Sequence, residues 1–166
     1  FALAGLLIEE LSGLSYPEYM RQKVFAPLGM HSTTQDPGRF KSLGTLYGHY
    51  AGIHEAIPVY QEDDYLQEYA AAGSLMRSSA SDMGHYLLAL LNGGRYKDQQ
   101  LIAPESIREM WAPEVSFPGI RVEDGGEGLP FSYGLGWFLG ELDGKRYVFH
   151  GGNRRNMSSM TFICPE

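Results

Sequence analysis

Apolar residues run almost unbroken from Phe1 to Leu11, interrupted only by Glu9 and Glu10. This pattern predicts a helix that is apolar nearly all round, which normally means a buried one. Gly13 stands where a C-terminal cap is expected. No N-cap residue precedes the helix, so it, or the loop feeding it, is expected to begin upstream of Phe1. Ser15-Tyr16-Pro17-Glu18 has the capping-box pattern with proline in the first turn. It predicts a second helix to about Val24, broken by Phe25-Ala26-Pro27-Leu28-Gly29-Met30.

Residues 31–72 carry little periodicity, with short strands expected at 45–50 and 56–60 and an acidic turn at Glu62-Asp63-Asp64. Ser79-Ala80-Ser81-Asp82 opens the clearest helix. Met83, Tyr86, Leu87, Leu90 and Leu91 fall at helical spacing as a core stripe, and Asn92-Gly93-Gly94 ends it. Pro104 sits in the first turn of a short helix to Trp111. Residues 113–131 hold three prolines and four glycines and read as a loop. Strands are expected at 133–139 and 145–149, joined as a hairpin by the type I′ signal Asp143-Gly144. A third strand is expected over 157–164. Helices first and antiparallel strands last argue for an α+β fold.

Composition narrows the function classes. With 166 residues and 43% hydrophobic side chains, the chain can bury a core. A net charge of −7 without a basic cluster argues against nucleic-acid binding. The longest apolar run, Phe1 to Ile8, is too short to span a bilayer. Cys164 is the single cysteine, which excludes an intrachain disulfide and a cysteine-based zinc site. None of the five histidines (His31, His49, His54, His85, His150) stands at i, i+4 with an acidic partner, so a metal hydrolase is disfavoured and no metal or cofactor is expected. No repeat or low-complexity linker divides the chain.

The candidate chemistry lies in His150-Gly151-Gly152, which follows the expected hairpin. A histidine with two glycines at a strand end suits a pocket where substrate lies along a sheet edge, because glycine lets a ligand approach the backbone.

Several segments together resemble the class C β-lactamase-like serine hydrolases, a family of β-lactamases, penicillin-binding DD-peptidases and related esterases. They are Gly13-Leu14-Ser15-Tyr16-Pro17-Glu18-Tyr19 with Val24-Phe25-Ala26-Pro27-Leu28-Gly29-Met30, Ala71-Ala72-Gly73-Ser74-Leu75 with Ser78-Ser79-Ala80-Ser81-Asp82-Met83, Tyr133-Gly134-Leu135-Gly136-Trp137, and His150-Gly151-Gly152. The resemblance covers nearly the whole chain, with its pieces in the family's order. It implies a β-lactamase/transpeptidase-like fold, an antiparallel sheet with flanking helices.

It also implies a mechanism. A serine in Ser-x-x-Lys attacks a carbonyl, the lysine helps remove its proton, a tyrosine in Tyr-x-Asn shuttles protons, and a Lys/His-x-Gly strand edge binds substrate. Neither Ser-x-x-Lys nor Tyr-x-Asn occurs in this sequence. The expectation is therefore that residues 1–166 are the C-terminal portion of a single serine-hydrolase domain, inactive alone, with the N-terminal part and the last strands missing. An unpaired sheet edge and exposed apolar helix faces should follow, covered by a second chain or a homodimer partner. By match to the motif, His150 takes the strand-edge Lys/His position, Gly152 that of the glycine, and Asn153 that of the residue whose N–H faces the oxyanion. Gly151, Arg154, Tyr133 and Trp137 are the candidate substrate-binding residues, with Tyr47 and Tyr60 as further apolar walls. Arg154 and Arg155 would favour a substrate carboxylate, and Asn156 replaces a glycine common in the family.

The expected partner is a small-molecule or peptide substrate (a β-lactam, a D-alanyl peptide or a small ester). Family members are often periplasmic or secreted. The competing reading is a non-catalytic binding or regulatory protein of the same fold.

Overall fold

The computed structural model describes residues 1–36, 39, 47–48, 57–58, 72, 76–117, 130–154 and 157–165. Contacts group the chain into two compact units, Phe1–Leu88 with Arg154–Met157, and Ala89–Asn153 with Ser158–Glu166.

The first unit opens with α1 (Ala2–Ser12), closed by Gly13 in the left-handed conformation at φ 68. The helix forms as expected, but it is not buried. Only Gly5 is buried along it, while Phe1, Leu3 and Leu11 are 72%, 82% and 80% exposed. Helix α2 (Tyr16–Met20) follows with Pro17 in its first turn. The expected capping box does not form, since Ser15 makes no side-chain cap bond. Glu9 of α1 accepts the Tyr16 N–H instead, at 2.6 Å, so an orphan donor of α2 is satisfied from the preceding helix. Glu18, the residue that would have reached back, is held by Arg21 at 2.6 and 2.8 Å and by Gln22. Those bonds bring its carboxyl down to about 2.

Pro27 does not break the helix as its type suggested. A π-helical turn (Arg21–Phe25) leads into α3 (Ala26–Leu28). Proline lacks the N–H that would bond Lys23, and its ring would press on that carbonyl. Widening the turn resolves both problems: Ala26 N–H donates to the Arg21 carbonyl, and Met30 N–H to Phe25 at 2.8 Å. The helix then stops at Gly29, left-handed at φ 70. Phe25, Leu28 and Met30 are buried.

Within the two stretches read as short strands, β1 (Tyr47–Gly48) and β2 (Ile57–Pro58) pair antiparallel, Tyr47 opposite Pro58. Helix α4 (Ala80–Leu91) starts where Ser79 predicts, because the Ser79 hydroxyl accepts the Asp82 N–H at 3.1 Å. Asp82 is itself buried at 6% exposure. It accepts the Ser32 N–H at 2.8 Å and the Thr33 hydroxyl at 2.7 Å, tying the 31–36 segment to the start of the helix. Thr33 also meets the Ser78 hydroxyl, and Thr34 and Arg77 exchange backbone bonds. Leu90 is buried, whereas Leu91, expected in the same stripe, is exposed.

In the second unit, Asn92-Gly93-Gly94 leads into a small hairpin, β3 (Arg95–Tyr96) and β4 (Gln99–Gln100), that the sequence did not announce. Gly94, at φ 83, lies so close to the Ile102 carbonyl that any side chain would collide with it. Helix α5 (Pro104–Met110) follows, with Ile107 and the adjoining Trp111 in the core.

The remaining strands form an antiparallel sheet in chain order: β5 (Val115–Phe117), β6 (Phe131–Tyr133), β7 (Phe138–Leu142), β8 (Lys145–Arg154) and β9 (Met157–Ile163). Among the described residues the sheet has five strands rather than the three expected. The 113–131 stretch contains β5, so it is not wholly loop. The expected strand 133–139 splits at Gly134–Trp137, which form the β6–β7 turn, with Gly134 N–H donating to the Trp137 carbonyl at 2.8 Å. Gly136, at φ 82, supplies the left-handed residue there. The type I′ turn stands as read, Asp143 at φ 52 and Gly144 at φ 71.

Leu139 lies opposite Val148, and both are buried with Ile163. Phe117, Phe131, Phe138 and Phe149 form a run of ring contacts from strand to strand, which Phe162 of β9 extends. β9 and β5 are the outer strands, and on β9 Met160 and Phe162 are exposed.

Among the described residues no helix is long and apolar enough to cross a membrane.

Candidate active site

The His150 triplet does not follow the strand; it lies inside it. β8 runs on through His150, Gly151, Gly152 and Asn153 to Arg154. Pairing with β7 stops at Phe138 opposite Phe149, so His150 begins the part of β8 that extends past its β7 partner. Two glycines weaken a strand, but here the second lies close against the neighbouring strand. A Cβ on Gly152 would stand 2.6 Å from the Ser159 hydroxyl of β9. A Cβ on Gly151 would meet the Met160 methyl at 3.6 Å, an ordinary contact. Gly151, Gly152 and Asn153 are exposed and His150 is half-buried.

The structure joins Tyr133 to His150. The phenol oxygen and the imidazole Nε2 are 3.3 Å apart. Phe138 packs against both rings, edge-on to Tyr133 at 4.7 Å and tilted toward His150 at 5.5 Å between centroids. Tyr133 is itself fixed by its surroundings. Its carbonyl accepts the Glu114 N–H at 2.9 Å, and the next residue, Gly134, lies against the Met110 and Ala112 carbonyls with no room for a side chain. Leu135 N–H donates to the Met110 carbonyl at 3.0 Å, and Arg146 bonds the Trp111 carbonyl. The end of α5 thus anchors the turn that carries Tyr133.

Trp137, grouped with Tyr133 in the sequence, is 6% exposed and belongs to the core. Arg154 ends β8. The side chains of Tyr47 and Arg154, and residues Tyr60, Arg155, Asn156, His49, His54 and 62–64, lie outside the description. A cleft in the first unit is lined by Ser15, Glu18, Arg21, Thr33, Thr34 and Asp36 among others, and by none of the candidate site residues. Among the described residues no three His, Cys, Asp or Glu side chains gather so as to hold a metal ion.

The chain matches the Beta-lactamase family model over residues 1–166. It is 25% identical to penicillin-binding protein 4 of Amycolatopsis lactamdurans, over 99% of this chain and 42% of that protein. It is also 25% identical to an unguisins hydrolase of Aspergillus campestris, over 100% of this chain and 30% of that protein. The chain therefore spans well under half the length of these relatives.

Among solved structures, an octameric penicillin-binding protein homologue from Pyrococcus abyssi superposes with a TM-score of 0.72 at 22% identity, over 97% of this chain and 33% of that one. Simvastatin synthase from Aspergillus terreus superposes at 0.68 and 21% identity, over 91% of this chain and 42% of that one. These structural likenesses establish the fold, a β-lactamase/transpeptidase-like arrangement of antiparallel strands and flanking helices. With the family model matching its whole length, the chain belongs to the beta-lactamase family.

Proposed function

We propose that residues 1–166 form the C-terminal portion of a serine-hydrolase domain that works through an acyl-enzyme on a β-lactam, a D-alanyl peptide or a small ester. The nucleophile and its base are carried on chain outside this sequence. In the reaction, a serine oxygen bonds to the substrate carbonyl carbon, the amide or ester bond breaks, and the leaving group departs with a proton. Water then releases the acyl group.

The observation that carries the reading is the position of His150. Its imidazole sits on β8 at the first residue past the last β7 pair, with Gly151, Gly152 and Asn153 exposed behind it. A backbone segment of this kind suits a substrate laid along the strand. In this reading His150 touches the substrate or its leaving group, and Gly152 keeps the strand edge clear. Asn153 N–H donates to the developing oxyanion, a donor worth about 3–4 kcal/mol in such sites. Gly151 and Tyr133 border the substrate, and Arg154, next on the strand, favours a substrate carboxylate. Trp137 supports the site from the core rather than by surface contact.

The isolated chain is proposed to be inactive, since loss of the nucleophile costs on the order of 10⁶ in rate in a well-studied serine protease. The exposed apolar side chains of α1 are proposed to be covered by further protein, another chain or a second copy; light scattering of the purified chain tests this. The functional reading is tested by incubating the full-length protein and this chain separately with a penicillin or fluorophosphonate probe and measuring intact mass. One covalent adduct on the full-length protein, lost on His150→Ala, supports it. An adduct on this chain alone would overturn it.

A further inference from the structure

The geometry points to Tyr133 as a positioning residue that sets the tautomer of His150, holding the proton of the neutral ring on Nδ1. The phenol oxygen meets Nε2 at 3.3 Å, so one of the two atoms donates to the other. An imidazole nitrogen bearing a lone pair is a stronger acceptor than a phenol oxygen, and a phenol O–H is a stronger donor than a neutral ring N–H. The pairing therefore favours Tyr133 O–H donating to Nε2. A neutral imidazole has one N–H, so the proton must then sit on Nδ1. In water the neutral side chain carries it mostly on Nε2, so Tyr133 reverses the ordinary preference.

The arrangement is built to hold this geometry. Phe138 contacts both rings, limiting how far either can turn. The Tyr133 backbone is fixed through Glu114, and Gly134 is wedged beside the Met110 and Ala112 carbonyls. A histidine at a strand edge with either tautomer available would offer substrate a donor or an acceptor indifferently. With Nε2 engaged by Tyr133, Nδ1–H is the group left to donate.

The consequence for catalysis rests on the function proposed above; the tautomer itself does not. The test is nitrogen-15 NMR of the histidine side chains in the full-length protein at a pH where the ring is neutral. Wild type is compared with Tyr133→Phe, and His150 is assigned by its loss in His150→Gln. Phenylalanine keeps the ring contact with Phe138 and removes only the hydroxyl. The expected result is a protonated Nδ1 and a pyridine-like Nε2 in wild type, reverting toward Nε2–H in Y133F. A protonated Nε2 in wild type, or the same tautomer in both proteins, overturns the proposal.

Acylation kinetics with the same probe give the second readout. Y133F should slow acylation roughly ten- to a hundredfold with apparent probe affinity changed less than threefold. A changed tautomer with an unchanged acylation rate would overturn the positioning role. Failure of the wild-type protein to acylate would instead overturn the proposed function, and the tautomer comparison would still decide this inference.

Discussion

The Ser159 hydroxyl of β9 occupies the space beside Gly152 of β8, 2.6 Å from where a Cβ would lie. The strand that carries the candidate histidine is therefore pressed against its neighbour at the glycine two residues further on. Gly152→Ala is expected to destabilise the protein by about 1–2 kcal/mol through this overlap. Ser159→Ala removes the obstructing oxygen, so the double variant should recover most of the loss. Denaturant unfolding of both single variants and the pair checks this as a non-additive cycle. Additive losses would mean that Ser159 simply rotates away.

Gly151 separates packing from function. A methyl there meets the Met160 methyl at 3.6 Å and the Ser159 carbonyl at 3.8 Å, both ordinary contacts. Gly151→Ala should change stability by less than about 1 kcal/mol, yet lower the acylation rate of the full-length protein about tenfold or more if substrate approaches this backbone. Equal rates for G151A and wild type would remove Gly151 from the substrate path.

Asp82 holds the 31–36 segment to α4 through the Ser32 N–H and the Thr33 hydroxyl. Asp82→Ala strands the buried Thr33 hydroxyl and the part-buried Ser32 N–H, at a cost of about 2–4 kcal/mol. Both donors meet the same oxygen, Oδ2, so Asp82→Asn can present its carbonyl to both and should cost less. Thermal unfolding of the two variants distinguishes this from a purely surface role, for which both would lie within about 0.5 kcal/mol of wild type.

Burial pushes the Tyr86 phenol up to about 12, with a smaller contribution from Tyr16. The folded state therefore holds the proton more tightly than the unfolded chain, in which tyrosine titrates near 10. This contribution is fully present below about pH 10 and is lost as pH rises through about 12. Relative to Tyr86→Phe, wild type should lose on the order of 2–3 kcal/mol across that interval. Parallel pH–stability curves for the two proteins would show that Tyr86 ionises freely.

Much of this architecture is legible in the residues because local chemistry and tertiary environment agree. Ser79 caps α4 as its type predicts, Pro104 opens α5, and Asp143-Gly144 turns β7 into β8. The misreadings occur where a neighbour intervenes. Ser15 loses its capping role because Glu9 of the preceding helix reaches Tyr16 first and Arg21 engages Glu18. Pro27 fails to end the helix because the turn before it widens to five-residue spacing. β5 escapes notice because Val115-Ser116-Phe117 is too short to show a period. In the site, His150-Gly151-Gly152 is visible as a motif. Its partnership with Tyr133 is not, since 17 residues separate them and only the sheet brings them together. Tyr133 and Trp137 look equivalent as aromatics, yet the β6–β7 turn sends one to the histidine and the other into the core.

In the proposed function, His150 to Asn153 complete an acylating site whose nucleophile lies on chain beyond these residues. The most direct measurement is denaturing intact mass of this 18.5 kDa chain and of the full-length protein, each before and after a penicillin or fluorophosphonate probe. The chain should show no mass change and the full-length protein a single adduct, located by peptide mapping outside residues 1–166. An adduct on any serine of this chain, or none on the full-length protein, would contradict it.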